Sequence, residues 1–177
     1  MAGMLPPLVL MTDDERLPDP LATAKALPRG SLIVLRVRDH ARRAELAGKL
    51  LPLPHVLLVA NDAAFAVGIG ADGIHLSEAN AHHAARLRAL HPRWLITAAA
   101  HGKPHDGPFN ALFLSPIFPT QSHPGAPALG AARANMFAQQ SRIPVYALGG
   151  ITPANARLLR GFVGIAAIGA LDVENSV

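Results

Sequence analysis

Eight short runs of apolar residues punctuate this chain, at residues 8–11, 31–36, 55–60, 74–76, 94–98, 111–114, 143–148 and 163–168. A strand with one wet face alternates polar and apolar side chains. These runs are apolar throughout, which suits a parallel sheet covered on its faces. Helical patterns lie between them. Pro20 can open a helix behind Asp19 that runs to Leu27, where Pro28-Arg29-Gly30 stops it. Asp39 reads as the N-cap of a helix to about residue 51, and an Ala-rich helix follows Asn61-Asp62. Asn80 is expected to cap a helix ending near residue 90. A further helix is expected over 131–140, and Thr152 is expected to cap one from Pro153 to about residue 160. Eight βα units predict an α/β fold, the (β/α)₈ barrel, with residues 1–177 as one domain. A doubly wound sheet is the alternative, but Met11-Thr12-Asp13 stands where a Gly-x-Gly-x-x-Gly turn would follow the first strand.

Two units depart from the pattern. Residues 101–109, HGKPHDGPF, are too short and broken for a fifth helix, and the eighth is cut off at Val177. The apolar surface this uncovers leads to the expectation of a homodimer, which a monomeric mass in dilute solution would remove. No apolar run reaches the ~18 residues of a membrane span, and no basic region precedes the apolar start of the chain, so neither membrane nor signal peptide is expected. The chain has no cysteine, which excludes disulfides and thiol catalysis and leaves cytoplasm as the default compartment. Lys plus Arg exceed Asp plus Glu by 16 to 12, and the basic residues are scattered, with Arg42-Arg43 the one adjacent pair. No nucleic-acid partner is expected from that distribution; a small anionic ligand suits it.

Barrel enzymes build their sites at the C-terminal ends of the strands. Those ends carry Thr12-Asp13, Arg36 and Arg38, Asn61-Asp62, Ser77-Glu78 with Asn80, His101, residues 120–123, Gly149-Gly150 and Ile168-Gly169. Arg36 and Arg38 flank Val37, so in an extended segment they point the same way; two guanidiniums side by side suit a diphosphate, or else an ion-paired rim. Asp62 can hold Mg²⁺ together with substrate phosphate oxygens, or simply cap the third helix. Glycine turns after strands seven and eight, Gly149-Gly150 and Gly169, suit a backbone phosphate nest, although glycines also end strands with no ligand. A proline-stiffened loop, residues 115–130, follows the sixth strand and carries Thr120, Gln121, Ser122 and His123; a loop of this length at a strand end is usually functional. His82, His83 and His91 read as solvent-facing, and His75 as a core or rim histidine satisfied by a neighbour.

In this order and spacing the motifs resemble the thiamine phosphate synthase family and its thiazole tautomerase relatives. The resemblance spans nearly the whole chain. It rests on Met11-Thr12-Asp13-Asp14, residues 34–38 (VLRVR), Asn61-Asp62, residues 70–76 (GADGIHL), residues 116–123 (PIFPTQSH) and residues 147–151 (ALGGI). It implies a Mg²⁺-using transferase that joins hydroxymethylpyrimidine diphosphate to a thiazole phosphate and releases pyrophosphate. On that resemblance Arg36 and Arg38 match the diphosphate cations, Asn61 a diphosphate or pyrimidine contact, and Asp62 a Mg²⁺ ligand. Thr120 and Ser122 match hydroxyl contacts to the thiazole substrate, and Gly149, Gly150, Ile168 and Gly169 the phosphate nest.

Four positions depart from the family. Val34 replaces a glutamine, Ala99 a serine and His123 a lysine, while Asn80 replaces the second Mg²⁺ carboxylate, for which Glu78 is the expected substitute. His123 exchanges a permanent cation for one near half-charged around pH ~6.5. Two other functions stay open from the sequence. One is a tautomerase-like proton transfer with His123 as acid–base, although Pro116 stands where those relatives carry a histidine. The other is a catalytically silent barrel that binds a thiamine-related phosphate.

Overall fold

The computed structural model describes residues 5–103, 106–120 and 127–168. The eight apolar runs become eight parallel strands: β1 (Leu8–Met11), β2 (Leu32–Leu35), β3 (Val56–Ala60), β4 (Gly73–Leu76), β5 (Leu95–Ala100), β6 (Ala111–Leu114), β7 (Val145–Leu148) and β8 (Gly164–Ala167). Each pairs with the next, and β8 returns to β1 through Leu8–Ile165, Val9–Ala166 and Leu10–Ala167, closing the barrel. Closure leaves no sheet edge, so every strand needs apolar cover on both sides. Alternation along each strand supplies it. Val9, Met11, Leu32, Val34, Leu58, Phe113 and Tyr146 fill the interior, while Leu10, Ile33, Leu35 and Leu57 pack with Ala24, Leu46 and Leu50.

Helices follow most strands: α1 (Leu21–Ala26), α2 (His40–Leu50), α3 (Ala63–Ile69), α4 (Ala84–Leu90), α5 (Gly130–Gln140) and α6 (Pro153–Ala156). Asp39 caps α2 by accepting from the Arg42 N–H, as its position predicts. Thr152 and Asn155 form a reciprocal capping box on α6, but that helix ends at Ala156, earlier than the expected residue 160. Asn80 is a second correction. It does not cap an α-helix; it lies within a 3₁₀ turn over Glu78–His83 that leads into α4, and its amide is spent on Asn61. His91 is half-buried and stacks on Trp94 with ring centroids 3.9 Å apart, so it is not the solvent-facing residue expected.

Among the described residues no helix separates β5 from β6. One guanidinium bridges the gap. Arg88 on α4 donates to the carbonyls of Pro92 and Trp94 before β5, and to the Pro108 carbonyl and Asn110 Oδ1 before β6. Asn110 Oδ1 also accepts the Ile96 N–H at 2.9 Å. The cut-off eighth helix falls in residues 169–177, outside the described residues.

Candidate active site

The rim is organised by the three residues after β1. Thr12, fully buried, accepts the Arg36 N–H at 2.7 Å and so extends the β1–β2 pairing past its last strand residues. Asp13 then gathers four donors. Its Oδ1 accepts the N–H groups of Glu15 and Arg16, and its Oδ2 takes Arg16 Nη2 at 2.8 Å and Arg36 Nη2 at 2.7 Å. Burial alone would raise the Asp13 pKa. The N–H donors of Arg16 and Glu15 and the Arg36 guanidinium outweigh it and hold the carboxyl below its ordinary value. Asp14 Oδ2 accepts the Arg38 N–H at 3.1 Å. Val37 is buried and Arg36 and Arg38 are exposed on either side of it. Both line a cavity of about 770 Å³, whose wall also includes Arg16, Arg43 and Asn61.

Across that cavity, at the end of β3, Asn61 sits at φ 56°, a left-handed conformation that asparagine tolerates better than most residues. Its Oδ1 accepts the Ser77 N–H at 2.7 Å and Asn80 Nδ2 at 3.0 Å. A backbone N–H can only donate, so the Ser77 bond fixes which way the Asn61 amide faces.

Asp62 caps α3, its Oδ1 accepting the Phe65 N–H at 2.9 Å, while Oδ2 pairs with Arg43 Nη2 at 2.8 Å. Arg43 is buried. The same Nη2 donates to His40 Nε2 at 3.0 Å, and the guanidinium lies 4.5 Å from the centre of the Phe65 ring. Glu78 Oε2 accepts from His101 Nδ1 at 2.7 Å, a partly exposed contact joining the ends of β4 and β5.

Magnesium takes a near-octahedral set of oxygens, usually one or two carboxylates with substrate phosphates. The expected set of Asp62, Asn80 and Glu78 is not assembled. Each turns to a nearer protein group: Asp62 to Arg43 and the Phe65 N–H, Asn80 to Asn61, and Glu78 to His101. Among the described residues no group of three or more His, Asp and Glu could hold a metal ion. On the cavity wall the buried Asp14 Oδ1 is a carboxylate oxygen with no hydrogen-bond partner among the described residues.

On the far side of the mouth the loop after β6 docks on the glycine turn. The N–H groups of Ile117 and Phe118 donate to the carbonyls of Leu148 and Gly149. Gly149 and Gly150 have φ of +96° and +63°, and a Cβ on Gly150 would stand 2.4 Å from the Pro119 carbonyl oxygen. These glycines are required by the loop packed over them. Thr120 sits at the end of that docked stretch and Ile168 just beyond β8, both half-buried. Ser122, His123 and Gly169 lie outside the described residues.

Inside the barrel, His75 donates to or accepts from Thr97 Oγ1 through Nδ1 at 2.9 Å and packs on Phe113 with ring centroids 4.7 Å apart. Burial, helped by the charge of Arg36, lowers its pKa to about 3, so it is a neutral imidazole under the cavity-side arginine.

The sequence and the fold are matched by known proteins. A family model described as thiamine monophosphate synthase covers residues 8–171. The chain belongs to the thiamine monophosphate synthase family. It is 30% identical to the thiamine-phosphate synthase of Alcanivorax borkumensis, over 91% of this chain and 80% of that one. It is 31% identical to the thiamine-phosphate synthase of Chlorobium luteolum, over 97% and 87% respectively. Among solved structures, the thiamine phosphate pyrophosphorylase of Pyrococcus furiosus superposes with a TM-score of 0.77 at 22% identity, covering 98% of this chain and 91% of that one. That likeness shows that the family barrel is the fold seen here.

Within this family member, Asp13, Arg16 and Arg43 line the cavity, and sequence reasoning gave them no role. Arg43 left a signal. It falls on the same helical face as Leu46, Ala47 and Leu50, so a charge was bound to be buried there and to need a partner.

Proposed function

We propose that this chain, as a single cytoplasmic barrel domain, joins hydroxymethylpyrimidine diphosphate to a thiazole phosphate, giving thiamine phosphate and pyrophosphate. The observation that carries this reading is the cavity at the ends of β1, β2 and β3, lined by Arg16, Arg36, Arg38, Arg43 and Asn61 together with Asp13, Asp14 and Glu15. In the reaction the bond from the pyrimidine methylene to the diphosphate breaks, leaving a cation that the ring amino group stabilises. The thiazole nitrogen then attacks that methylene carbon. The protein supplies no nucleophile. Its tasks are to neutralise the departing pyrophosphate and to hold two substrates in line.

Arg36 and Arg38 take the diphosphate oxygens in this reading, with Asp13 fixing the Arg36 fork so that less freedom is lost on binding. Asn61 adds an amide donor whose direction Ser77 and Asn80 hold. Thr120, Ser122 and the turn at Gly149, Gly150, Ile168 and Gly169 receive the thiazole phosphate. His123 stands in place of the family's lysine in this reading. No helix among the described residues is long and apolar enough to cross a membrane.

The test is a direct assay with both substrates, measuring thiamine phosphate. Product formation that rises in His123→Lys marks a working synthase with a weakened cation. Absence of product, together with pyrophosphate binding, would reduce the chain to a phosphate-binding barrel. A proton-transfer enzyme of the tautomerase kind has no use for four arginines around one cavity, which counts against that alternative.

A further inference from the structure

None of Asp62, Glu78 and Asn80, the residues expected to hold magnesium, lines the arginine cavity, but Asp13, Asp14 and Glu15 do. These three acids differ in how far the protein has already cancelled them. Asp13 is filled by four donors, two of them the guanidiniums of Arg16 and Arg36. Glu15 is exposed, and water screens it. Asp14 has neither kind of relief. It is half-buried, its Oδ2 accepts one backbone N–H, from Arg38 at 3.1 Å, and its Oδ1 is buried with no hydrogen bond. Among the described residues no salt bridge includes it. A diphosphate drawn in by the arginines therefore meets one carboxylate that no side chain neutralises. Like charges repel strongly in a partly dry site, and a divalent cation shared between them turns that repulsion into attraction.

We propose that Asp14 is the carboxylate through which this chain holds magnesium, and that the ion binds together with the diphosphate, between Asp14 and the phosphate oxygens. The inference rests on the diphosphate reading given above. Magnesium needs only one or two carboxylates when substrate phosphate and water complete its shell. A single carboxylate does not retain the ion by itself, which agrees with the lack of any three-ligand group among the described residues. The Arg38 N–H anchors one oxygen of Asp14. The other reaches the cavity by a turn about Cβ–Cγ, a soft torsion in aspartate. Asp62 is committed elsewhere, to the Phe65 N–H and to Arg43. The metal carboxylate has in effect moved from the ends of β3 and β4 to the turn after β1.

The experiment is calorimetric titration of the full chain with pyrophosphate at fixed ionic strength, in EDTA and again with millimolar Mg²⁺, and with Mg²⁺ alone. Groups one shell behind a metal are each worth about 10- to 100-fold in metal affinity, so a direct ligand should carry a tightening of about tenfold or more. The wild type is expected to bind pyrophosphate in EDTA through its arginines, to tighten by that factor in Mg²⁺, and to give no saturable heat with Mg²⁺ alone. Asp14→Asn keeps an oxygen for the Arg38 N–H and removes the charge. It is expected to cut the Mg²⁺ tightening to about threefold or less while binding metal-free pyrophosphate at least as well as the wild type. Tightening that is absent from the wild type, or that survives in Asp14→Asn, would overturn the inference and leave the diphosphate reading standing. So would a tightening lost in Asp62→Asn but kept in Asp14→Asn, or saturable binding of Mg²⁺ alone. Loss of metal-free binding in both Asp14→Asn and Asp14→Ala would make Asp14 a support of the arginine wall and overturn it too. A wild type that binds no pyrophosphate in either condition would overturn both readings.

Discussion

Acid should destabilise this barrel through one side chain, His75. Its ring is fully inside, 2.9 Å from Thr97 Oγ1 and packed on Phe113, with a pKa lowered to about 3 against an ordinary 6.5. The folded state therefore refuses a proton that the unfolded chain accepts. Stability that depends on the neutral ring is complete above pH 6.5 and is lost as pH falls through 6.5 toward 3, at about 1.4 kcal/mol per pH unit. Between pH 8 and pH 5 the loss comes to about 2 kcal/mol, and over the whole window to about 5 kcal/mol. Urea unfolding of the wild type and of His75→Phe, at pH 8 and pH 5, isolates this share. Phenylalanine keeps an aromatic on Phe113 and cannot titrate. It loses the Thr97 bond at every pH, so the absolute stabilities differ but the pH slopes are what matter. The wild type should lose about 2 kcal/mol more than the variant between the two pH values. Equal losses would refute the reasoning, because the ring would then be protonated without resistance in the folded barrel.

Other outcomes follow from individual contacts. Gly150→Ala puts a methyl group against the Pro119 carbonyl and forces a left-handed φ on alanine, so it should cost about 2–4 kcal/mol in chemical denaturation. Gly48→Ala, in the last turn of α2 with open space around it, should instead gain up to about 1 kcal/mol. Arg88→Ala removes the guanidinium donor from three carbonyls and from Asn110 Oδ1, which keeps the Ile96 N–H, and should lower stability by about 1–3 kcal/mol, measured by the same unfolding assay. Asn155→Ala removes the side-chain half of the α6 capping box and the Nδ2 bond to the Gly150 carbonyl, leaves the Thr152 Oγ1 cap in place, and should cost about 1 kcal/mol.

The barrel could be read from the chain because its strands are apolar on both faces, and a parallel sheet is nearly the only arrangement that buries such strands. Strand order and closure followed from the count of units. What could not be read were contacts between side chains far apart in sequence. Asp13 and Arg36 are paired across 23 residues, Arg43 and Asp62 across 19, and each has an ordinary local explanation as a turn, cap or surface charge. Asp62 illustrates the difficulty: its capping role was visible in the sequence Asn61-Asp62 before a helix, while the arginine that claims its other oxygen was not. Asn80 misled for a similar reason, since an asparagine before a helical pattern reads as a cap whatever lies across the barrel mouth. The glycines were placed at the correct turn, but the demand on them comes from the loop after β6, which no local pattern reveals.

The Arg88 latch has a consequence for how the barrel opens. Each of the other connections between successive strands carries a helix, but between β5 and β6 the described chain is tied down by the Arg88 side chain and the packing of Phe109. Amides of that crossover should exchange with solvent through small local openings long before global unfolding, whereas the β2–β3 side, sealed by α2, should exchange only with the whole domain. A ring with one weak link breathes at that link. Here the weak link lies beside His101, so any breathing of the crossover alters the rim at β5 while the arginine wall at β1–β3 stays rigid.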